Sequence, residues 1–378
     1  LKWVEAEGFG DGGPTWVEDH IESFVNVAGP LLGVPKAMTA FLSGEMKDTV
    51  EVNPAGSYVL EKFFSRKDRA RLFRSWAGGA SMWIKGGDAV WGNATHAADD
   101  VEGTSHTHGH FFSFRAPTPD SEASSLPAGH SATSSVNGPK NHPTMAPVDE
   151  EAAERAKSRE RSGKDYEPPS RVNPPTPPPV PAVETSPGVG NLTAEEAGNW
   201  ILQHTPYSWQ KMIATNYSYG IERDEEVLKK NGQDHTKWTN PLEIQLPNAP
   251  SMKIFCLHGH GKETERSYWY ARGEYEYDDI LADAMQAVCL NTTECDIRGV
   301  TPRSPLDLPT SRQNWIDVLV TRENEIPKVK NGVKIGEGDG TVASLSLGAM
   351  CVEGWQRKRW NPAGIKTVTY EVDGIACP

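Results

Sequence analysis

The chain has 378 residues, 37% hydrophobic and 24% charged, with 29 prolines and 35 glycines, enough for two average domains or one large α/β domain with insertions. A mean hydropathy of −0.56 implies that part of it stays outside any core. Its net charge of −13 excludes a protein that neutralises nucleic-acid phosphates with clustered cations, and the lack of a Gly period, sustained heptads or an apolar run of about 18 residues excludes collagen, coiled coil and multi-span membrane protein.

Taken in chain order, residues 16–21 suit an amphipathic helix, and residues 24–28 read as a buried strand stopped by Gly29 and Pro30. Two short helices are predicted over 57–64 and 65–76, the second capped by Ser65. Their apolar residues Leu60, Phe63, Phe64, Leu72, Phe73 and Trp76 stand beside Arg66, Lys67, Arg69, Arg71 and Arg74. Between Gly92 and Asn199 there is no Trp and no Cys, yet more than half of the prolines fall there. So aromatic-poor a segment does not offset the entropy of ordering its backbone, so residues 94–192 are predicted to be a disordered Pro/Ser-rich insertion. Its charged block over 150–164 suits transient helix, and its proline run over 174–181 suits polyproline II. That run is a spacer rather than an SH3 or WW ligand, since Arg171 is its one weak cation. A helix over 193–205 resumes the fold. A strand over 252–257 then runs into a predicted turn at 258–261, a Gly-rich turn occupies 336–340, and a last strand covers 365–372. The fold class is therefore α/β, without internal repeat, in three parts: 1–93, 94–192 and 193–378.

Asp339, between Gly338 and Gly340 just past a strand, presents a carboxylate where the chain turns sharply. It is either the acid that orients and charge-stabilises the histidine of a Ser-His-Asp triad or part of a plain turn. No G-x-S-x-G elbow accompanies it. The nearest match, residues 129–133 around Ser131, lacks the final glycine and lies in the insertion, so Ser131 is rejected as nucleophile. The 11 histidines stop at His260, whereas the α/β-hydrolase order puts histidine after the acid. His258 and His260 are read as turn residues rather than an oxyanion loop. His106, His108 and His110 alternate as zinc ligands do, but in a segment predicted to lack the scaffold such a site needs. Five cysteines without a C-x-x-C exclude a zinc ribbon and a thioredoxin motif. Four N-x-S/T sequons, at Asn93, Asn191, Asn216 and Asn291, hint at a luminal or secreted compartment.

Longer motifs carry a resemblance. Residues 338–342, 344–348, 350–351 and 360–365 resemble the lecithin:cholesterol acyltransferase family in its phospholipid:diacylglycerol acyltransferase branch. So do 28–37, 42–49, 63–76, 85–92, 240–242, 246–250 and 264–268. The resemblance covers residues 1–93 and 194–372. It implies an incomplete α/β-hydrolase fold with cap helices, Asp339 as triad aspartate, and an acyl chain moved from a phospholipid to diacylglycerol without metal or organic cofactor. It also implies a membrane surface as partner, a luminal face of the endoplasmic reticulum with the membrane span outside this chain, and a disulfide from Cys351 to Cys295, or to Cys289. The residues 63–76 are read either as lying at a lipid surface or as a cap helix packed on the core. The chain starts at Leu1 and departs from the family pattern from Asp373 onward, so the sequence reads as a fragment whose serine elbow precedes Leu1 and which is inactive alone. A lipase using water as acceptor, or a non-catalytic lipid-surface scaffold, are the alternatives.

Overall fold

The computed structural model describes residues 1–114, 190–205, 207–273, 308 and 310–374. Residues 1–118 and 185–378 form one compact unit, and a second, 119–184, lies outside the described residues. Ser131, the proline run, Arg171, Asn291, Cys289 and Cys295 also lie outside them.

Two short helices, α1 (Lys2–Glu5) and α2 (Trp16–His20), lead into β1 (Ser23–Val27). Next comes α3 (Pro35–Ser43), opened by Pro35 and closed by Gly44 at φ 70°, the proline-first, glycine-last asymmetry of helices. Five helices follow: α4 (Lys47–Val50), α5 (Pro54–Phe63), α6 (Arg66–Ser75), α7 (Ala77–Ser81) and α8 (Gly87–Trp91). Ser65 caps α6 as its sequence predicts, its hydroxyl accepting from the Asp68 amide. After β2 (Phe112–Phe114), the helices α9 (Ala194–Gln203), α10 (Tyr207–Asn216) and α11 (Glu225–Lys230) precede β3 (Lys253–His260) and β4 (Lys262–Arg272). The C-terminal part holds α12 (Thr310–Gln313), β5 (Asn314–Ile316), β6 (Val329–Lys330), β7 (Val333–Gly338), α13 (Ser344–Val352) and β8 (Lys366–Asp373).

The strands form two sheets. One is wholly parallel, ordered β1-β3-β8, with Val25 beside Phe255 and Phe255 beside Val368. In the other, β4 pairs parallel with β2 and antiparallel with β7 and β5, and β6 extends it beyond β7. Parallel strands joined through helices make this an α/β fold. On the parallel sheet, Ile254, Cys256 and His258 alternate onto the face packed under α13 and are buried. The opposite face leaves Val25, Val27, Tyr370 and Val372 at least half exposed. Parallel sheets are ordinarily covered on both faces.

Two sequence readings change here. Residues 258–260 are not a turn: Gly259 and His260 pair with Val372 and Asp373, which prolongs β3 to His260. Residues 94–114, assigned to the insertion, are packed. Their burial rests on Phe111, Phe112 and Phe114 rather than on Trp or Cys, and on Asp99, which receives a two-armed bond from buried Arg266 at 2.6 and 2.9 Å. Although burial opposes it, that guanidinium holds the Asp99 carboxyl below its ordinary range.

Arginines also fix α6. Arg69 Nε donates to the Gly44 carbonyl (2.9 Å), and Arg74 donates to the carbonyls of Phe41 (2.7 Å) and Leu42 (2.8 Å). These are the last carbonyls of α3, which lack helical partners and sit at its negative dipole end. Arg66, Arg69 and Arg74 are all buried, so the cap-helix reading of 63–76 describes α6. Arg74→Ala is expected to cost roughly 2–4 kcal/mol in chemical denaturation by removing its donors from the Phe41 and Leu42 carbonyls, of which the second retains Ser311 Oγ. Exposed Arg71→Ala should stay within about 0.5 kcal/mol.

A buried lysine adds a pH signature. Lys334 Nζ donates to the His110 carbonyl and Ser113 Oγ, each at 2.8 Å. Burial, helped by Arg266 and Arg322, lowers it to about 7 from 10.5. Between those values the unfolded chain holds more protons than the folded one, so folding stability from this group rises with pH from about 7 toward 10. Denaturation across that window is expected to show a positive slope that Lys334→Met reduces.

Candidate active site

Asp339 sits immediately after β7, where each flanking glycine has a different reason to be there. A Cβ on Gly338 would come within 2.2 Å of the Val342 carbonyl, and Gly340 has φ 95°. Close approach forces the first glycine, and the left-handed region favours the second. The reversal is locked from β4, where Thr264 Oγ1 accepts from the Gly340 amide at 2.9 Å. Within the turn, Asp339 Oδ1 accepts from the amides of Thr341 and Val342, both at 2.8 Å. Amide donors on one carboxylate oxygen fix the plane of the carboxyl group. They leave Oδ2 as the oxygen on which an imidazole N–H can dock.

The turn lies at the carboxyl end of the parallel sheet. A Cβ on Gly259 would stand 3.4 Å from that of Asp339, and Lys262, just beyond β3, forms an isolated bridge with Asp339. Ligands of open α/β sheets bind at this end of the strands. Two further ties hold it. Ser346 Oγ on α13 accepts from the Leu32 amide at 3.0 Å, joining the helix after the aspartate to the loop after β1. Cys351 on α13 is disulfide-bonded to Cys256 on β3. That bond corrects the expected pairing with Cys295 or Cys289: strand alternation turns Cys256 toward α13, beside Ile254 and His258. Nothing in the spacing of five cysteines distinguishes this partner.

The histidines do not gather at Asp339. His258 alternates to the buried face of β3, against Gly348 of α13, away from the side on which Gly259 meets Asp339. His260 lies 3.7 Å from Glu337. Both line a cavity of about 890 Å³ with Glu337, Glu353 and Glu371. An apolar cavity of about 500 Å³ lies among Phe24, Leu31, Met82, Trp238 and Trp355, with Lys85, lowered to about 8 by burial, in its wall. Asp339 lines neither. His106 meets Arg322 and Glu325, His108 meets Ser267, and His110 meets Asn191. They diverge instead of converging on one point, and the described residues hold no cluster of three or more metal-ligating side chains. The segment nevertheless has the scaffold that its sequence was read to lack, and burial with Arg266 nearby lowers His108 to about 4, so it stays neutral at pH 7. Thr264 and Ser346 fall in stretches that resemble the family, whereas Cys256 does not, and none of the three carries a catalytic motif of its own.

The sequence signature of the lecithin:cholesterol acyltransferase family matches residues 1–181 and 184–293, and the chain belongs to that family. It is 34% identical over 372 residues to the phospholipid:diacylglycerol acyltransferase of Schizosaccharomyces pombe and 32% identical over 377 residues to that of Saccharomyces cerevisiae. It is also 30% identical over 392 residues to phospholipid:diacylglycerol acyltransferase 1 of Arabidopsis thaliana. Each comparison takes in 98% of this chain, but 42%, 40% and 51% of those relatives. The chain thus spans roughly two fifths to one half of the curated relatives it matches.

A non-reducing peptide map is expected to return a Cys256–Cys351 pair. Cys351→Ala should lower stability by roughly 2–5 kcal/mol, as loss of a native cross-link does. A free Cys351 thiol would contradict the arrangement.

Proposed function

We propose that this chain is part of a phospholipid:diacylglycerol acyltransferase and supplies the acid of its triad through Asp339. The observation that supports this reading most is the carboxylate itself, held by two amides at the carboxyl end of a parallel sheet. An acid that orients a catalytic histidine needs that kind of fixed plane. The parallel strands then belong to an α/β-hydrolase sheet, and α3 to α7 to its cap.

In the proposed reaction, a serine hydroxyl attacks the acyl carbonyl of a phospholipid while the histidine takes its proton. The bond to the glycerol oxygen breaks, and the histidine returns the proton to the departing lysophospholipid. The hydroxyl of diacylglycerol then attacks the acyl-serine, its proton passing to the histidine and on to the freed serine, and triacylglycerol leaves. The chain has no G-x-S-x-G and no histidine after Asp339, so both partners of the aspartate must come from polypeptide outside these residues. The substrates are membrane lipids, so the reaction takes place at a membrane surface. Among the described residues no helix is long and apolar enough to cross one. We place the domain in the lumen of the endoplasmic reticulum. The Cys256–Cys351 bond supports an oxidising compartment, as does the exposed position of the sequon residues Asn93, Asn191 and Asn216.

In a longer protein that transfers acyl groups, Asp339→Asn is expected to lower kcat by about 10⁴-fold with little change in KM, as loss of the orienting acid does. The isolated 378-residue chain should transfer nothing above a boiled control. Wild-type turnover by the Asn variant, or turnover by the isolated chain, would refute this assignment.

A further inference from the structure

The helix α5 is amphipathic the wrong way round for a surface helix. At about 100° per residue, Tyr58, Lys62, Val59 and Phe63 fall on one arc, with Leu60, Ser57 and Glu61 opposite. The apolar arc points to solvent: Val59 is 53% exposed and Phe63 80% exposed. The acidic residue points inward. Glu61 pairs with Arg69 at 2.8 Å and accepts from the Arg66 amide at 3.0 Å. None of the ten residues of α5 is buried, and Phe64, next along the chain, is exposed as well. The hydrophobic effect disfavours such an arrangement in water. A helix anchored through Glu61 and presenting its aromatic side outward has its apolar partner elsewhere.

Charge indicates which partner. Residues 54–76 carry six cations against two carboxylates, in a chain whose net charge is −13. Three of the cations are buried, Arg69 and Arg74 in the clamp on α3 and Arg66 donating to the Asn314 carbonyl. Of the rest, Lys62 lies on the outward arc of α5, and Lys67 and Arg71 lie on α6 with Arg71 exposed. Apolar side chains flanked by lysine and arginine suit the boundary between acyl chains and anionic headgroups. A second copy of the chain fits less well, because one arc of a ten-residue helix, about 15 Å long, falls well short of the roughly 800 Å² per partner of a stable interface.

We propose that α5 docks on an anionic bilayer, inserting Tyr58, Val59, Phe63 and Phe64 while Lys62 and Arg71 meet the headgroups. The inference rests on the reading that the substrates are membrane lipids and names the element that brings the protein to them. The lipid-surface role that the sequence offered for 63–76 thus falls to α5, and α6 serves as its anchor on the core.

The test is co-sedimentation of the 378-residue chain with phosphatidylcholine vesicles, with and without 30 mol% phosphatidylserine. The parent is expected to bind the anionic vesicles more tightly, and more weakly as salt is raised. Val59→Asp with Phe63→Asp should weaken binding at least about tenfold. Lys62→Glu should weaken it about fivefold or more on anionic vesicles alone. Val25→Asp, on the exposed face of the parallel sheet, should bind as the parent does. Since Val59, Lys62 and Phe63 are exposed, the melting temperatures of the α5 variants should match the parent. Undiminished binding by the double variant, or loss of binding by Val25→Asp, would overturn the proposal. So would a dimer that the double variant splits without affecting vesicle binding. Binding is read without turnover, so a chain that docks but belongs to no acyltransferase would refute the previous reading and leave this one standing.

Discussion

A carboxylate can orient a histidine only if it does not rotate when the histidine becomes charged, and under the proposed role of Asp339 the rest of this structure serves that constraint. The side chain of Asp339 is fixed by its own turn through the amides of Thr341 and Val342. The turn is fixed by Thr264 on the neighbouring strand. The helix that follows is fixed by Ser346 and by Cys351, each bonded to an element of the parallel sheet or its connections. Rotation of the carboxyl plane would break two hydrogen bonds from backbone amides together. Preorganisation of this kind is established by folding, before any substrate arrives.

The same sheet shows what the fold demands beyond itself. Its packed face holds Ile254, Cys256 and His258, and its other face shows Val25, Val27, Tyr370 and Val372 to solvent. Asp339 stands at the strand ends on that second side, next to Gly259. An open face beside a fixed acid is where further polypeptide bearing a serine and a histidine would have to approach. The open face and the relatives' greater length both suit the proposal that the acid acts in concert with residues outside this chain.

Helices and strands with local signatures were legible in the sequence. Ser65 announced α6, the proline and glycine around residues 29–30 ended β1, and the G-D-G triplet located Asp339. What stayed hidden depended on pairing between distant segments. His258 through His260 have turn-like composition, and only their register with β8 makes them strand. The disulfide partner of Cys351 was set by which face of β3 looks toward α13, a property that residue spacing does not encode. Residues 94–114 looked unstructured because their core anchors are phenylalanines and a salt bridge to Arg266, 167 positions away. The arginines of residues 66–74 suggested a cationic surface, yet three of them are buried, and two of these, Arg69 and Arg74, satisfy carbonyls at the end of α3. That choice between facing water and capping a neighbour is made only in the packed state.

The most direct measurement is a crystal structure of a longer protein containing this chain, read at the second oxygen of one side chain. The account predicts Asp339 Oδ2 within about 2.6–3.2 Å of an imidazole nitrogen whose other nitrogen faces a serine hydroxyl. An Oδ2 turned to bulk solvent, with the serine and histidine assembled around some other carboxylate, would contradict it.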